Sequence, residues 1–209
     1  MKIAITGHSR GIGKAVYEKL QEREGYEFRG YSRSNGYDIG VNYQKVIDEI
    51  IEWDADVVFN NAWSWQNNAQ NLIVKQLHEA WADVEKVIIS TGSSSGYYGH
   101  NPSESYASNK IELMNYHVKA SLDWPTRNKT RCQSISFGYV QTSILEDTED
   151  AKNYIPVKDA AELMINLIEP RNYIIADQLV THRYTDWDQH DRLRSKINEN
   201  VLKYWINQP

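Results

Sequence analysis

Near its start the chain runs Lys2-Ile3-Ala4-Ile5-Thr6-Gly7-His8-Ser9-Arg10-Gly11-Ile12-Gly13. Lys2 to Thr6 is a short β-rich segment closed by a glycine, which reads as a strand. From Gly11 onward Ile12, Ala15, Val16 and Leu20 recur at helical spacing. Glycines between a strand and a helix permit a tight turn and let a pyrophosphate approach the backbone. The helix N-terminus behind them supplies unpaired N–H groups and a favourable dipole. Gly7, Gly11 and Gly13 are therefore expected to cradle a dinucleotide.

The same alternation continues outward. Strands are expected over Tyr26–Tyr31, Asp56–Asn60, Val84–Ser90, Thr130–Ser136 and Tyr173–Ala176, with a further short strand just before Asp38. Helical faces fall at Tyr43, Val46, Ile47, Ile50 and Ile51, over Asn67–Trp81 and Ser103–Ser121, and at Ala160, Leu163, Met164, Leu167 and Ile168. Near-continuously apolar strands alternating with helices imply an α/β fold, a doubly wound parallel sheet covered on both faces. One domain is expected over residues 1–180. Leu193, Ile197, Val201 and Trp205 recur every four residues, so residues 181–209 are expected to form a helical extension packed on the domain or on a partner subunit.

Composition narrows the function classes. The 209 residues suit a single core, and 41% hydrophobic with 24% charged residues are ordinary globular values. A formal charge of -5 argues against a nucleic-acid partner. The N-terminal apolar run is too short for a signal peptide, and nothing reaches membrane-spanning length. A lone cysteine, Cys132, has no internal disulfide partner, pointing to a reducing, cytoplasmic setting and a packing role. The six histidines are scattered without metal-ligand spacing, so no metal site is expected.

Five ordered landmarks carry a resemblance. The turn from Thr6 to Gly13 resembles the Thr-Gly-x-x-x-Gly-x-Gly turn of the short-chain dehydrogenase/reductase family. Asn60-Asn61-Ala62 resembles its Asn-Asn-Ala-Gly element, Tyr106-Ala107-Ser108-Asn109-Lys110 its Tyr-x-x-x-Lys pair, and Phe137-Gly138-Tyr139-Val140-Gln141-Thr142 its Pro-Gly-x-x-x-Thr segment. Ser93 stands thirteen residues before Tyr106, the family interval for the active-site serine. Membership would imply a Rossmann-type domain and an NADP(H)-dependent oxidoreductase interconverting a carbonyl and an alcohol, usually as a dimer or tetramer.

Chemically, carbonyl reduction needs a hydride and a proton delivered to the nascent alkoxide. Tyr106 is the candidate acid. Lys110, one helical turn on, would favour tyrosinate and lower the phenol's pKa; the resemblance also has it hold the nicotinamide ribose. Ser93 would hydrogen-bond the substrate oxygen, with Ser94 and Ser95 as rivals. Asn71 resembles the family's helix asparagine that anchors a relay water, with Asn67 and Asn68 as alternatives.

An acid at the end of the second strand would suit NAD, and an arginine a 2′-phosphate. That strand ends in Ser32-Arg33, with no acid in reach, and Arg10 lies in the glycine turn. NADP(H) is therefore expected over NAD(H), bound by Arg33 with help from Arg10 and the Ser32 hydroxyl. The resemblance extends the cofactor set to Ser9, Ile12, the Asp38-Ile39 pair beside the adenine, Asn60, Ala62, Gly138 and Val140, with Thr142 on the carboxamide. Trp63 departs from the pattern, standing where the family has glycine. Trp63, Trp65, Tyr97, Tyr98, His100 and Tyr139 are candidate pocket walls. A non-catalytic NADP(H)-binding regulator on the same fold is the rival reading.

Overall fold

Residues 1–98, 104–123, 128–142, 153–171 and 173–181 are described by a computed structural model. His100, the side chain of Tyr98 and the proposed C-terminal helix lie outside them. In chain order the strands are β1 (Lys2–Thr6), β2 (Glu27–Tyr31), β3 (Val57–Asn60), β4 (Val87–Ser93), β5 (Arg131–Phe137), β6 (Val140–Gln141), β7 (Ile155–Pro156) and β8 (Gln178–Val180). Six of them make one parallel sheet in the order β2-β1-β3-β4-β5-β8, and β6 pairs with β7 alongside.

The pleat explains why the central strands β1 and β3 and the start of β4 are so nearly continuously apolar. Alternate residues point to opposite faces. Ile3, Ile5, Val57, Phe59, Val87, Ile89, Ile135 and Phe137 enter one core, under α1 (Gly11–Gln21) and α6 (Val157–Asn166). The residues between them, Ala4, Val58, Ile88 and Cys132, are mutual register partners and enter the other core. That second core lies under α2 (Ile39–Glu52), α3 (Ala69–Ala80) and α5 (Glu104–Asp123); α4 (Ser95–Tyr98) is a single turn after β4. Cys132 is 1% exposed, in the packing position expected of it.

Two expected strands are corrected. The segment before Asp38 contains no strand: Arg33–Asn35 form a 3-10 turn, closed by Gly36 at φ +86. The Asn35 carboxamide oxygen accepts the Ser32 backbone N–H at 2.9 Å. Asp38 then caps α2 at once, accepting the Gly40 N–H at 2.8 Å. Too few residues separate Ser32 from Asp38 to lay down a strand and turn back. Where the usual dinucleotide sheet runs 3-2-1-4-5-6, among the described residues this one stops at β2, whose edge carries exposed Glu27 and Arg29. The last strand is also shifted, from Tyr173–Ala176 to Gln178–Val180. Side chains of β5 hold the approach: Gln133 accepts the Ile175 N–H at 3.1 Å, and the Ser134 hydroxyl donates to the Ala176 carbonyl at 3.1 Å. Ladder pairing begins only at Gln178, opposite Ile135.

Candidate active site

The carboxyl ends of β1, β3, β4 and β5 converge on one edge. Gly7 (φ +72) and Gly11 (φ +53) occupy backbone space that L side chains rarely adopt. Gly13 has ordinary dihedrals, but a Cβ there would lie 2.3 Å from the Gly7 carbonyl oxygen. The first bond of α1 runs from Lys14 N–H to the Arg10 carbonyl at 3.2 Å. The N–H groups before it face the turn without helical partners. This cradle fits a pyrophosphate.

Neighbouring strands brace the turn. Gly7 N–H donates to the Tyr31 carbonyl at 2.7 Å. The His8 ring fills the space above Gly30, where a Cβ would come within 2.3 Å of it. The Thr6 hydroxyl accepts the Asn61 and Ala62 N–H groups at 2.9 and 3.0 Å, pinning the Asn60-Asn61-Ala62 element to β1. Thr142 reaches back to the turn: its methyl lies 3.3 Å from where a Gly11 Cβ would stand.

The other expected cofactor residues are dispersed in role. Ser9, Arg10 and Arg33 are exposed and Ile12 is partly buried. Ser32 is 5% exposed, its hydroxyl 2.7 Å from that of Ser34. Asp38 caps α2 and Ile39 is buried in the second core. Gly138 N–H donates to the Val180 carbonyl at 2.8 Å, and Val140 packs in the first core. Among the described residues neither Arg10 nor Arg33 has an ion-pair partner.

At the ends of β3 and β4 lies a compact polar cluster. Ser93 closes β4 and Tyr106 stands on the first turns of α5, with a Ser93–Tyr106 side-chain hydrogen bond between them. Ser93 also accepts the Ser95 N–H at 3.2 Å. Gly96 admits α5 closely, since a Cβ there would meet the Lys110 backbone at 3.2 Å. Lys110 is 4% exposed; its Nζ donates to Gln70 Oε1 at 2.8 Å and to the Thr91 carbonyl at 2.9 Å. The ammonium lies 5.5 Å from the Tyr106 ring centroid and 5.3 Å from that of Trp63.

The electrostatics differ from the sequence expectation in one respect. Burial pushes the Tyr106 phenol above its usual pKa, while the Ser93 hydrogen bond acts the other way. The Lys110 ammonium lies toward the ring, its two hydrogen bonds go to Gln70 and Thr91, and burial lowers its own pKa to about 7. The amine's two hydrogen bonds are thus not made to the phenol oxygen.

Asn71, the candidate water anchor, sits on α3. It is 1% exposed and donates to Asn68 and, at 2.9 Å, to the Asn109 carbonyl, tying α3 to α5. Its neighbour Gln70 faces the amine. A signal for Gln70 lay in the sequence, a polar residue on the same helical stripe as Ile73, Val74 and Leu77. Asn60 is fully buried and donates to the Gln70 carbonyl at 2.9 Å.

Two of the candidate pocket-wall aromatics, Trp63 and Trp65, pack around Tyr106. Trp63 packs edge-on against it at 4.9 Å, and Trp65 lies 5.8 Å away at a 34° tilt. Trp65 is 69% exposed. Tyr97 donates to Asp177, and Tyr139 stacks near Tyr154 at 5.1 Å. No metal-binding group of histidine, cysteine or carboxylate side chains occurs among the described residues, and no helix among them is long and apolar enough to cross a membrane.

The architecture defines an α/β dinucleotide fold with a serine, a tyrosine and a lysine at its carboxyl edge. No family model and no curated protein matches the sequence. Solved structures match the fold over nearly their whole length. A Pseudomonas 3-alpha-hydroxysteroid dehydrogenase complexed with NADH aligns with TM-score 0.69 and 17% identity, covering 92% of this chain and 99% of that one. A 4-hydroxyisoleucine dehydrogenase complexed with NADH aligns with TM-score 0.71 and 16% identity over 88% and 98% of the two chains. A short-chain dehydrogenase from Burkholderia cenocepacia in complex with NADP gives 0.67 and 18% over 86% and 94%. The chain has the fold of the short-chain dehydrogenases/reductases.

Proposed function

We propose that this protein is an NADP(H)-dependent oxidoreductase that interconverts a small carbonyl compound and its alcohol. The observation that carries the reading is the hydrogen-bonded Ser93–Tyr106 pair with buried Lys110 behind the ring, on the same sheet edge as the glycine cradle. A bound nicotinamide would supply the hydride. Tyr106, held as a neutral phenol by burial, donates the proton to the substrate oxygen. Ser93 hydrogen-bonds that oxygen as charge develops on it.

The Gly7–Gly13 cradle and the N-terminus of α1 would hold the pyrophosphate, with Thr142 beside it. The exposed guanidinium groups of Arg10 and Arg33 favour the 2′-phosphate of NADP(H). The buried single thiol suits a cytoplasmic enzyme. Apolar Val118 and Leu122, 44% and 78% exposed on α5, suit burial in a homodimer or tetramer, checked by sedimentation.

Following cofactor absorbance against a panel of carbonyl compounds tests the reading, with Tyr106→Phe expected to lose turnover and keep cofactor affinity. Trp63 favours the second reading, a non-catalytic NADP(H)-binding regulator, because its indole covers Lys110. Tight cofactor binding without turnover on any carbonyl would select that regulator.

A further inference from the structure

Gln70 lies at the centre of the polar cluster and is 1% exposed. Its amide orientation follows from its partners. Nε2 donates to the Asn60 carbonyl at 2.8 Å and to the Thr91 carbonyl at 3.1 Å, and neither carbonyl can donate in return. Oε1 is therefore turned to Lys110 Nζ, which as an ammonium can only donate. The Asn60 side chain returns a bond to the Gln70 main-chain carbonyl, so side chain and backbone of α3 are both locked to the end of β3. One amide thus joins β3, β4 and α5 at the atom where the amine sits.

We propose that Gln70 is the positioning residue for Lys110, fixing the amine relative to Tyr106 from α3. The inference rests on the functional reading above, in which Lys110 and Tyr106 work together. Gln70 Oε1 and the Thr91 carbonyl hold two N–H groups of the amine, the number that a neutral amine retains. The third proton is then the one gained and lost. Among the described residues the titratable group facing Lys110 is Tyr106 on its own helix, through its ring; α3 presents Gln70, β4 the Thr91 carbonyl and the loop after β3 the Trp63 ring, all uncharged. Consistent with that, burial alone brings its pKa to about 7.

The test uses the whole protein, labelled at lysine Cε and titrated by NMR, with Lys110→Met assigning the resonance. The unsubstituted protein is expected to show this lysine titrating near neutrality. Gln70→Met removes the acceptor and should move the midpoint down; Gln70→Glu places a carboxylate there and should move it up, by about one to three units. Opposite shifts are a signature that general loosening would not produce. Asn71→Ser should leave the midpoint in place. With a turned-over carbonyl, kcat of Gln70→Met should fall about tenfold, and the pH limb of kcat should follow the lysine midpoint in each variant. Equal midpoints in all proteins, shifts of one sign in both Gln70 variants, or a larger shift in Asn71→Ser would overturn the proposal. If the unsubstituted protein turns over no carbonyl, the catalytic reading fails on that count, while the NMR midpoints still decide what Gln70 does to Lys110.

Discussion

The two faces of the sheet are covered by different chemistry. Among the described residues, α1 and α6 bury no polar side chain: Val16, Leu20, Ala160, Ala161, Met164 and Ile165 close that face. On the opposite face α3 and α5 bury Gln70, Asn71, His78, Lys110 and His117 among their apolar residues. Burial pushes the His117 pKa down to about 3 and that of Lys110 down to about 7. The first face contributes to the proposed site through the backbone of its glycine turn. The second contributes through side chains, among which Lys110 is paired across elements by Gln70 and Thr91.

The largest expected effect separates the faces by function. Tyr106→Phe removes the proposed proton donor and should lower kcat about a hundred- to ten-thousandfold, with cofactor affinity kept. Stopped-flow turnover paired with a cofactor titration reads both quantities. An unchanged kcat would take Tyr106, and with it the second face, out of the chemistry.

Next come the cores themselves. Met164→Ala on α6 and Leu113→Ala on α5 each open a cavity at a residue no more than 1% exposed, and each should cost about 2–5 kcal/mol in denaturant unfolding. The contrast lies in activity. Met164→Ala should leave turnover near the unsubstituted level, whereas Leu113→Ala loosens the helix carrying Tyr106 and Lys110 and should lower kcat. Equal kcat losses in both would erase the distinction.

These contrasts also show what the sequence carries on its surface. The glycine turn, the helix spacing and the Tyr106–Lys110 interval are local patterns, set by short-range geometry. The parallel sheet followed from the apolar strands, since the pleat sends neighbours such as Ile3 and Ala4 into two cores. Gln70 was missed because its importance comes from three partners distant in sequence, at the ends of β3 and β4 and on α5. The direction of Lys110 was missed for the same reason: an interval of four says which helix face it shares, not that the Thr91 carbonyl turns the amine toward the strand. The absent strand before Asp38 was a matter of length, decided by the Ser32–Asn35 turn.

Lys110 gives the face comparison a thermodynamic form. Its pKa is about 7 in the fold against a reference value of 10.5. Between those values the unfolded chain holds more protons, so this group makes the fold more stable as pH rises from about 7. Below about 7 both states are protonated and the contribution is flat. The stability difference between the unsubstituted protein and Lys110→Met should therefore shift in favour of the former by about 1 kcal/mol per pH unit on going from pH 7 to pH 9. Paired urea melts at several pH values measure it. A difference independent of pH would place the amine in water, contrary to the buried second face.

The smallest effect concerns the edge where the two faces meet, at the end of β2. Arg33 is exposed on the 3-10 turn that replaces a strand, and the Ser32 and Asn35 hydrogen bonds fix the backbone beneath it. The nearest acid along the chain, Asp38, is engaged as the cap of α2. A guanidinium with no ion-pair partner among the described residues should prefer a phosphate to a hydroxyl pair. Arg33→Ala is expected to weaken NADPH about tenfold while changing NADH affinity less than about twofold. Quenching of the Trp63 and Trp65 fluorescence can follow both titrations. Equal weakening of the two cofactors would mean that the guanidinium meets a group they share, and would move the 2′-phosphate contact to Arg10, in the glycine turn of the first face.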